Sequence, residues 1–238
     1  KRIRQTNDLS GTRLRDGDSI LAAFPLSTKD HVVIVTNLGS IYSVRVADFP
    51  ASSGYGEPIQ KLLRFKDGER VIASFPHTGA PRADLITTIN EGSNVALLSK
   101  GGLGLRCSVD GLTALKRSGK RIAKLREGDE FIAALILTTT EVAVFSRKGY
   151  AFRMRAAQLP QREGVASGAS VMNLRDDDEV VAFLQRPLDS KITVSLSTGR
   201  VKELGWDAIQ VGHRDMRGTK LSIQGEVKEV ASAATVVQ

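Results

Sequence analysis

A chain of 238 residues with 41% hydrophobic side chains can bury one good core or two modest ones, which places it in the ordinary globular range. No apolar run approaches the ~20 residues that span a bilayer, and the basic start KRIRQ lacks the apolar stretch of a secretory signal, so neither membrane insertion nor export is expected. A formal charge of +8 favours polyanionic partners, DNA or RNA before an anionic membrane surface. The single Cys107 excludes a disulfide framework and a cysteine zinc cluster and fits a reducing compartment, so the cytoplasm is expected.

In chain order, one pattern recurs. A glycine, two residues and an aliphatic occur as GTRL from Gly11, GEPI from Gly56, GKRI from Gly119, GASV from Gly168 and GTKL from Gly218. After each comes an acidic knot and an apolar run: RDGDSILAAF, KDGERVIASF, REGDEFIAAL, RDDDEVVAFL and GEVKEVASA. Four of the five copies are preceded by two apolar runs around a turn glycine: VVIVTNLGSIYSV, VALLSKGGLGLRC, VAVFSRKGYAFRM and ITVSLSTGRVKEL. The turn glycines Gly39, Gly102, Gly149 and Gly199 are 63, 47 and 50 residues apart, the long first interval being explained by an inserted loop, HTGAPRADL.

The runs are short, rich in Val, Ile, Leu and Phe, and bounded by Gly, Asp, Ser and Asn, which predicts strands and hairpins and almost no helix. In AFRMRA, Phe152 and Met154 fall on one face and Arg153 and Arg155 on the other. Roughly four strands in about 50 residues is the size of a propeller blade, and units this small must stack on neighbours. The chain is therefore predicted to be all-β and a single domain over 1–238. Its repeats run over about 1–24 (partial), 25–75, 76–135, 136–184 and 185–238.

Other candidate sites are weak. His31, His77 and His213 have no partners at metal-ligand spacing, so no metal or other cofactor is expected. KGGLG at 100–104 suggests a phosphate loop, but no helix or GK[ST] follows and it reads as a hairpin turn. Tyr42, Tyr55 and Tyr150 do not look like nucleophiles. Cys107 reads as a small core hydrophobe and Trp206 as a packing residue. The 5% aromatic content argues against a stacking platform for single strands.

The repeated pattern, most fully in TNLGSIYSVRVADFPASSGYGEPIQKLL, KGGLGLRCSVDGLTALKRSGKRIAKL and RKGYAFRMRAAQLPQ, resembles the C-terminal domain of bacterial type IIA topoisomerase A subunits, of DNA gyrase or topoisomerase IV. The resemblance covers essentially the whole chain. It implies a β-pinwheel, a propeller-like disc of about five four-stranded blades, here four complete and one partial at the N-terminus, whose blades exchange strands. It also implies a noncatalytic domain that bends or wraps duplex DNA around a basic rim, because the cleaving tyrosine lies elsewhere in the full subunit. Implied partners are double-stranded DNA, the ATPase B subunit and the rest of the A subunit; the domain would be monomeric, cytoplasmic and nucleoid-associated. KRIRQTNDLSGTRL stands where gyrases carry a glycine-rich basic box and lacks its paired glycines, which tilts the expectation toward a topoisomerase IV-like or divergent gyrase domain.

Basic residues are concentrated locally. Lys100 to Lys124 holds seven Lys or Arg against one acid, and Phe145 to Arg162 five against none. In the resembled fold these stretches form the outer edges of blades, with the acidic knots kept off that band. The candidate DNA contacts are Lys61, Arg106, Lys116, Arg117, Lys120, Arg121, Arg153, Arg155, Arg162, Arg214, Arg217 and Lys220, expected to grip phosphates with little base preference. The alternative is a propeller-like protein-interaction scaffold whose charge serves an acidic partner.

Overall fold

A computed structural model describes residues 1–4, 6, 8–79, 85, 87–175 and 177–232. The predicted insertion HTGAPRADL and the Asp176 position of the fourth knot fall largely outside them.

Four antiparallel blades follow one another. Blade 1 is built from His31–Thr36, Ser40–Arg45 and Val71–His77, and blade 2 from Ser93–Ser99, Leu103–Val109 and Phe131–Ile136. Blade 3 is Glu141–Ser146, Tyr150–Arg155 and Val180–Gln185, and blade 4 is Lys191–Leu196, Val201–Gly205 and Val227–Ser232. In each, the first strand lies in the middle, its hairpin partner on one side and the third strand on the other. Third strands of successive blades pack against one another, so they line the axis and the hairpin partners face the perimeter. All four hairpins turn where the sequence predicts, on Gly39, Gly102, Gly149 and Gly199, each with φ between +75° and +82°. A short 3-10 turn (Val46–Asp48, Leu112–Ala114, Ala156–Gln158, Trp206–Ala208) then forms the corner that leads away from the blade.

The fourth strand of a blade comes from the next repeat. Lys120–Arg121 pairs with Ser40 and Ile41 of blade 1, Ala169–Ser170 with Leu103 and Gly104 of blade 2, and Thr219–Lys220 with Tyr150 and Ala151 of blade 3. This explains the G-x-x-aliphatic motif. At Gly119 (φ +64°) a Cβ would lie 2.6 Å from the Tyr42 ring and 2.8 Å from the Ile41 carbonyl oxygen, so only glycine lets the incoming segment cross the blade. Three residues after the glycine the aliphatic side chain turns inward: Ile122 is 5% and Val171 0% exposed.

The apolar cores lie between blades. Val33, Val35 and Ile41 of blade 1 meet Leu97, Leu105, Cys107 and Phe131 of blade 2; blades 2 and 3, and blades 3 and 4, share equivalent clusters. Burying one such side chain contributes about 1.5–3 kcal/mol, and because these three clusters each draw on two repeats, neighbouring blades stabilise one another; blade 1 also has a cluster of its own around Ile34, Tyr42, Val44 and Leu63. Cys107 is a core residue as predicted, its thiol pushed up to about 11 by burial.

The acidic knots are structural ties. Glu69, buried at 6%, accepts hydrogen bonds from Thr36 Oγ1 (2.6 Å), Tyr42 Oη (3.0 Å) and the Lys66 backbone (2.8 Å). Burial, with this bond second, raises the Tyr42 hydroxyl to about 12. Asp129 and Asp178, at the same repeat position, accept from Ser99 Oγ and the Gly101 N–H, and from the Lys148 N–H. The following residue reaches back to the preceding blade: Arg70 pairs with Glu130, Lys100 with Glu179 (2.9 Å) and Arg147 with Glu226 (3.8 Å). The acids therefore stand at the hairpin-turn end of the seams, ladder-like.

Residues 1–30 form no strand of three or more residues among those described; the apolar run Ile20–Phe24, read as part of a repeat, pairs with no strand there. Arg2 alone is bridged, parallel to Ala51.

Candidate nucleic-acid interface

The segments that carry strands across to the preceding blade form the perimeter, and they hold most of the predicted cations. The first is the most basic. After Gly111 and the Leu112–Ala114 turn, Lys116 and Arg117 stand exposed, a turn closes from the Gly119 N–H to the Lys116 carbonyl (2.9 Å), and Lys120 and Arg121 run along the edge of blade 1. Successive strand residues point to opposite faces, so Lys120 and Arg121 present charge on both sides of that edge. Arg121 Nε donates to the Ala123 carbonyl (3.0 Å), which fixes its direction. Between positions 111 and 124 the chain carries five cations and no acid.

The second segment is sparser: Arg155 and Arg162 are exposed, with Glu163 beside Arg162. On the third, Arg214 and Lys220 are exposed, and the Arg217 guanidinium lies 4.0 Å and the Lys220 ammonium 5.1 Å from the centre of the Tyr150 ring. Each cation is attracted by the quadrupole of the ring, which holds it at the rim. Lys61 lies in the Ile59–Lys61 turn, exposed and 3.0 Å from Glu57.

Arg106 and Arg153 do something else. Strand alternation turns Arg153 and Arg155 away from the core as read from the sequence, but only Arg155 ends in solvent. Arg153 Nε donates to the Ile209 carbonyl (2.9 Å) and its N–H to the Gln210 carbonyl (2.9 Å), at the corner of blade 4. Arg106 repeats the pair one blade earlier, with the Leu159 and Pro160 carbonyls (3.1 and 3.0 Å). Both guanidiniums thus latch a blade to the corner of its neighbour. Around Arg153, which is 15% exposed, Glu141 (3.0 Å) and Asp207 (3.4 Å) add charge pairing, Arg186 lies 3.6 Å from each, and Trp206 Nε1 donates to Glu141 (3.1 Å). Sequence reasoning missed this group. Its signal was an arginine four residues past the turn glycine in two repeats, with an aliphatic and Pro or Gln at the next corner.

Among the described residues no group of three His, Cys, Asp or Glu side chains converges as for a metal, and no helix is long and apolar enough to cross a membrane. His77 instead contacts the Ile89 carbonyl through Nδ1 (2.7 Å). The carboxyl of Glu130 is held below its ordinary value, chiefly by the hydrogen bond from Arg70, then by Asn37. A depressed carboxylate adds stability above its unfolded pKa and loses it as pH falls through the folded one. Thermal unfolding followed between about pH 6 and pH 3 is therefore expected to show an acid-side loss that Glu130→Gln reduces. The difference should be at most about 1 kcal/mol, because Arg70 is largely solvated. Equal acid profiles for the two proteins would remove Glu130 as a contributor.

Small sheets set around an axis, each completed at its perimeter by a strand from the next repeat, define a β-pinwheel. The family described as DNA gyrase C-terminal domain, beta-propeller, matches residues 30–78, 93–138 and 140–185, and the chain belongs to that family. It is 26% identical to the DNA gyrase A subunit of Escherichia coli (strain K12) over 193 residues, 80% of this chain and 21% of that protein. With the corresponding protein of Mycolicibacterium smegmatis (strain ATCC 700084 / mc(2)155) the figure is 24% over 226 residues, 92% and 26%. The chain thus spans about a quarter or less of the length of these curated relatives. In fold it is similar to the C-terminal domain of DNA topoisomerase IV (TM-score 0.76, 18% identity, 93% of this chain and 69% of that one). The E. coli ParC C-terminal domain is similar too (0.72, 20%, 96% and 92%).

Proposed function

We propose that the chain is an accessory DNA-binding domain, without catalysis of its own, that bends or wraps duplex DNA over its perimeter and presents it to the cleavage core of a type II topoisomerase. The observation that carries this reading is the run Lys116, Arg117, Lys120, Arg121: exposed, free of acids, and held on the outer edge of blade 1 in a chain of the gyrase C-terminal family. Arg155, Arg162, Arg214, Arg217 and Lys220 continue the path around the rim, and Lys61 is a further contact. Arg106 and Arg153 act by holding neighbouring blades in register beneath it. The partners are double-stranded DNA, the ATPase B subunit and the rest of the A subunit, in the cytoplasm at the nucleoid. Chain 1–238 works as one monomeric unit, with no metal or cofactor in its role.

Phosphate contacts release counterions, so log Kobs for duplex DNA should fall steeply with log salt concentration. Reversing Lys116, Arg117, Lys120 and Arg121 to Glu should flatten that slope by about 3–4, roughly 0.9 for each phosphate no longer neutralised. An unchanged slope, or binding to acidic polymers regardless of duplex length and curvature, would instead favour the scaffold for an acidic protein. Ligating a nicked circular plasmid with the domain bound, then measuring linking number, separates chiral wrapping from simple bending.

A further inference from the structure

The position four residues past the turn glycine is a latch in blades 2 and 3. Arg106 reaches the Leu159 and Pro160 carbonyls, and Arg153 those of Ile209 and Gln210. The crossing segment then runs beside the same edge: Gln161–Arg162 lies parallel to Arg106–Cys107, and the Gly212 N–H reaches the Arg153 carbonyl (2.8 Å). In blade 1 this position is Ser43.

The crossing segment opposite Ser43 is also too short to run alongside. Gly119 follows the corner residue Leu115 by four residues, whereas Gly168 and Gly218 follow Leu159 and Ile209 by nine. The chain turns at once, and the Lys116 carbonyl, counterpart of those of Pro160 and Gln210, is taken by the Gly119 N–H (2.9 Å). Among the described residues no crossing-segment carbonyl receives the Ser43 N–H, and Ser43 Oγ is buried without a hydrogen-bond partner. A cleft of about 140 Å³ lies there, lined by Ser43 and Leu115, the counterparts of Arg106 and Leu159, with Asp48 and Arg117 beside them. A buried hydroxyl left unpaired weakens the state that buries it, so opening this cleft to water is favoured.

Elsewhere the same seam is firm. At the turn end Asn37 Nδ2 donates to Glu130 (3.2 Å), Arg70 pairs with Glu130, and the Phe131 and Ile122 N–H groups reach the Asn37 and Gly39 carbonyls (each 2.8 Å). On the axial side the Ile89 N–H gives to the Pro76 carbonyl (2.9 Å), and His77 Nδ1 meets the Ile89 carbonyl (2.7 Å). Val33, opposite Ser43 in register, packs into the core shared with blade 2; the next residue toward the corner on that face is His31. We infer that the seam between blades 1 and 2 is a hinge: tied at its turn end and axial side and unlatched at its corner, it lets blade 1 swing outward at the perimeter. The seams that carry Arg106 and Arg153 stay closed. Where a duplex follows the perimeter, the rim changes curvature at this seam, a consequence that rests on the function proposed above, whereas the hinge does not.

The test is the distance between spin labels at equivalent, exposed corner positions, measured by pulsed electron paramagnetic resonance. Ala47→Cys/Thr113→Cys reads the first seam and Thr113→Cys/Ala157→Cys the second. Cys107 stays in place, since it is 2% exposed and its thiol is raised to about 11, far from reactive. The 47/113 distribution should be roughly twice as broad as the 113/157 distribution, as a hinge beside a packed seam requires. Ser43→Arg, which supplies a guanidinium for the Leu115 carbonyl, should narrow 47/113 to the width of 113/157. Arg106→Ser, which moves the vacancy to the second seam, should broaden 113/157. Equal widths with Ser43 and Arg106 in place would overturn the hinge, and so would widths that neither substitution alters. The two substitutions act in opposite directions on different seams, so if one variant fails to fold by far-UV circular dichroism the other still decides. No readout involves DNA: a protein that binds no duplex can still show the hinge, and a rigid seam leaves the phosphate contacts standing.

Discussion

Trp206→Ala is expected to lower stability by about 4 kcal/mol, in the range for removing a fully buried aromatic. The ring is 0% exposed in the cluster between blades 3 and 4, and its N–H gives Glu141 one of the bonds that hold it against Arg153. The substitution therefore empties a core position and loosens an ionic group at once. Trp206→Phe keeps most of the packing and loses the bond to Glu141, so its cost should be about 1–2 kcal/mol. Urea denaturation followed by far-UV circular dichroism measures both, and native-state hydrogen exchange should locate the weakened amides in Lys191–Leu196. Similar losses for the two variants would mean that the hydrogen bond, not the packing, carries the effect.

Gly119→Ala is expected to cost about 3 kcal/mol. Its Cβ would be driven into the Tyr42 ring and the Ile41 carbonyl, and the left-handed backbone adds its own penalty for a non-glycine residue. Gly128→Ala separates these terms, because Gly128 has φ +76° but no atom within 4 Å of an added Cβ; its cost should be about 1 kcal/mol. If the two substitutions cost the same in urea, the close crossing of the donated segment is not what demands glycine at 119.

The sequence was most legible where a pattern is local. Alternation in AFRMRA places Phe152 and Met154 in the core, each 1% exposed, and the turn glycines mark all four hairpins. What could not be read is which blade a segment completes. GKRI was visible as a repeated motif, yet its partner, Ser40–Ile41, belongs to the blade before, and nothing in strand periodicity encodes that backward reach. The same limit hid the fate of Arg153. Alternation shows that it leaves the core, but the carbonyl that captures it is on Ile209, a full repeat later. Arg155, two residues on, has no such acceptor and stays at the rim. The acidic knots were expected to stand apart from the basic stretches, yet Glu179 pairs with Lys100 and Glu226 with Arg147, ties between blades that only folding brings near.

Donating each perimeter strand backward has a consequence for the order in which the molecule is made. During synthesis from the N-terminus, the hairpin of blade 1 can form once Arg45 has emerged, but its outer edge stays bare until Arg121 follows. A nascent chain thus always ends in an unfinished unit with open hydrogen-bonding groups, a template for mispairing. Once the strands Lys120–Arg121 and Thr219–Lys220 have arrived, their lysine and arginine discourage the new outermost edges from pairing with a further strand. Charge at the perimeter would then guard assembly first, before any partner meets the finished surface.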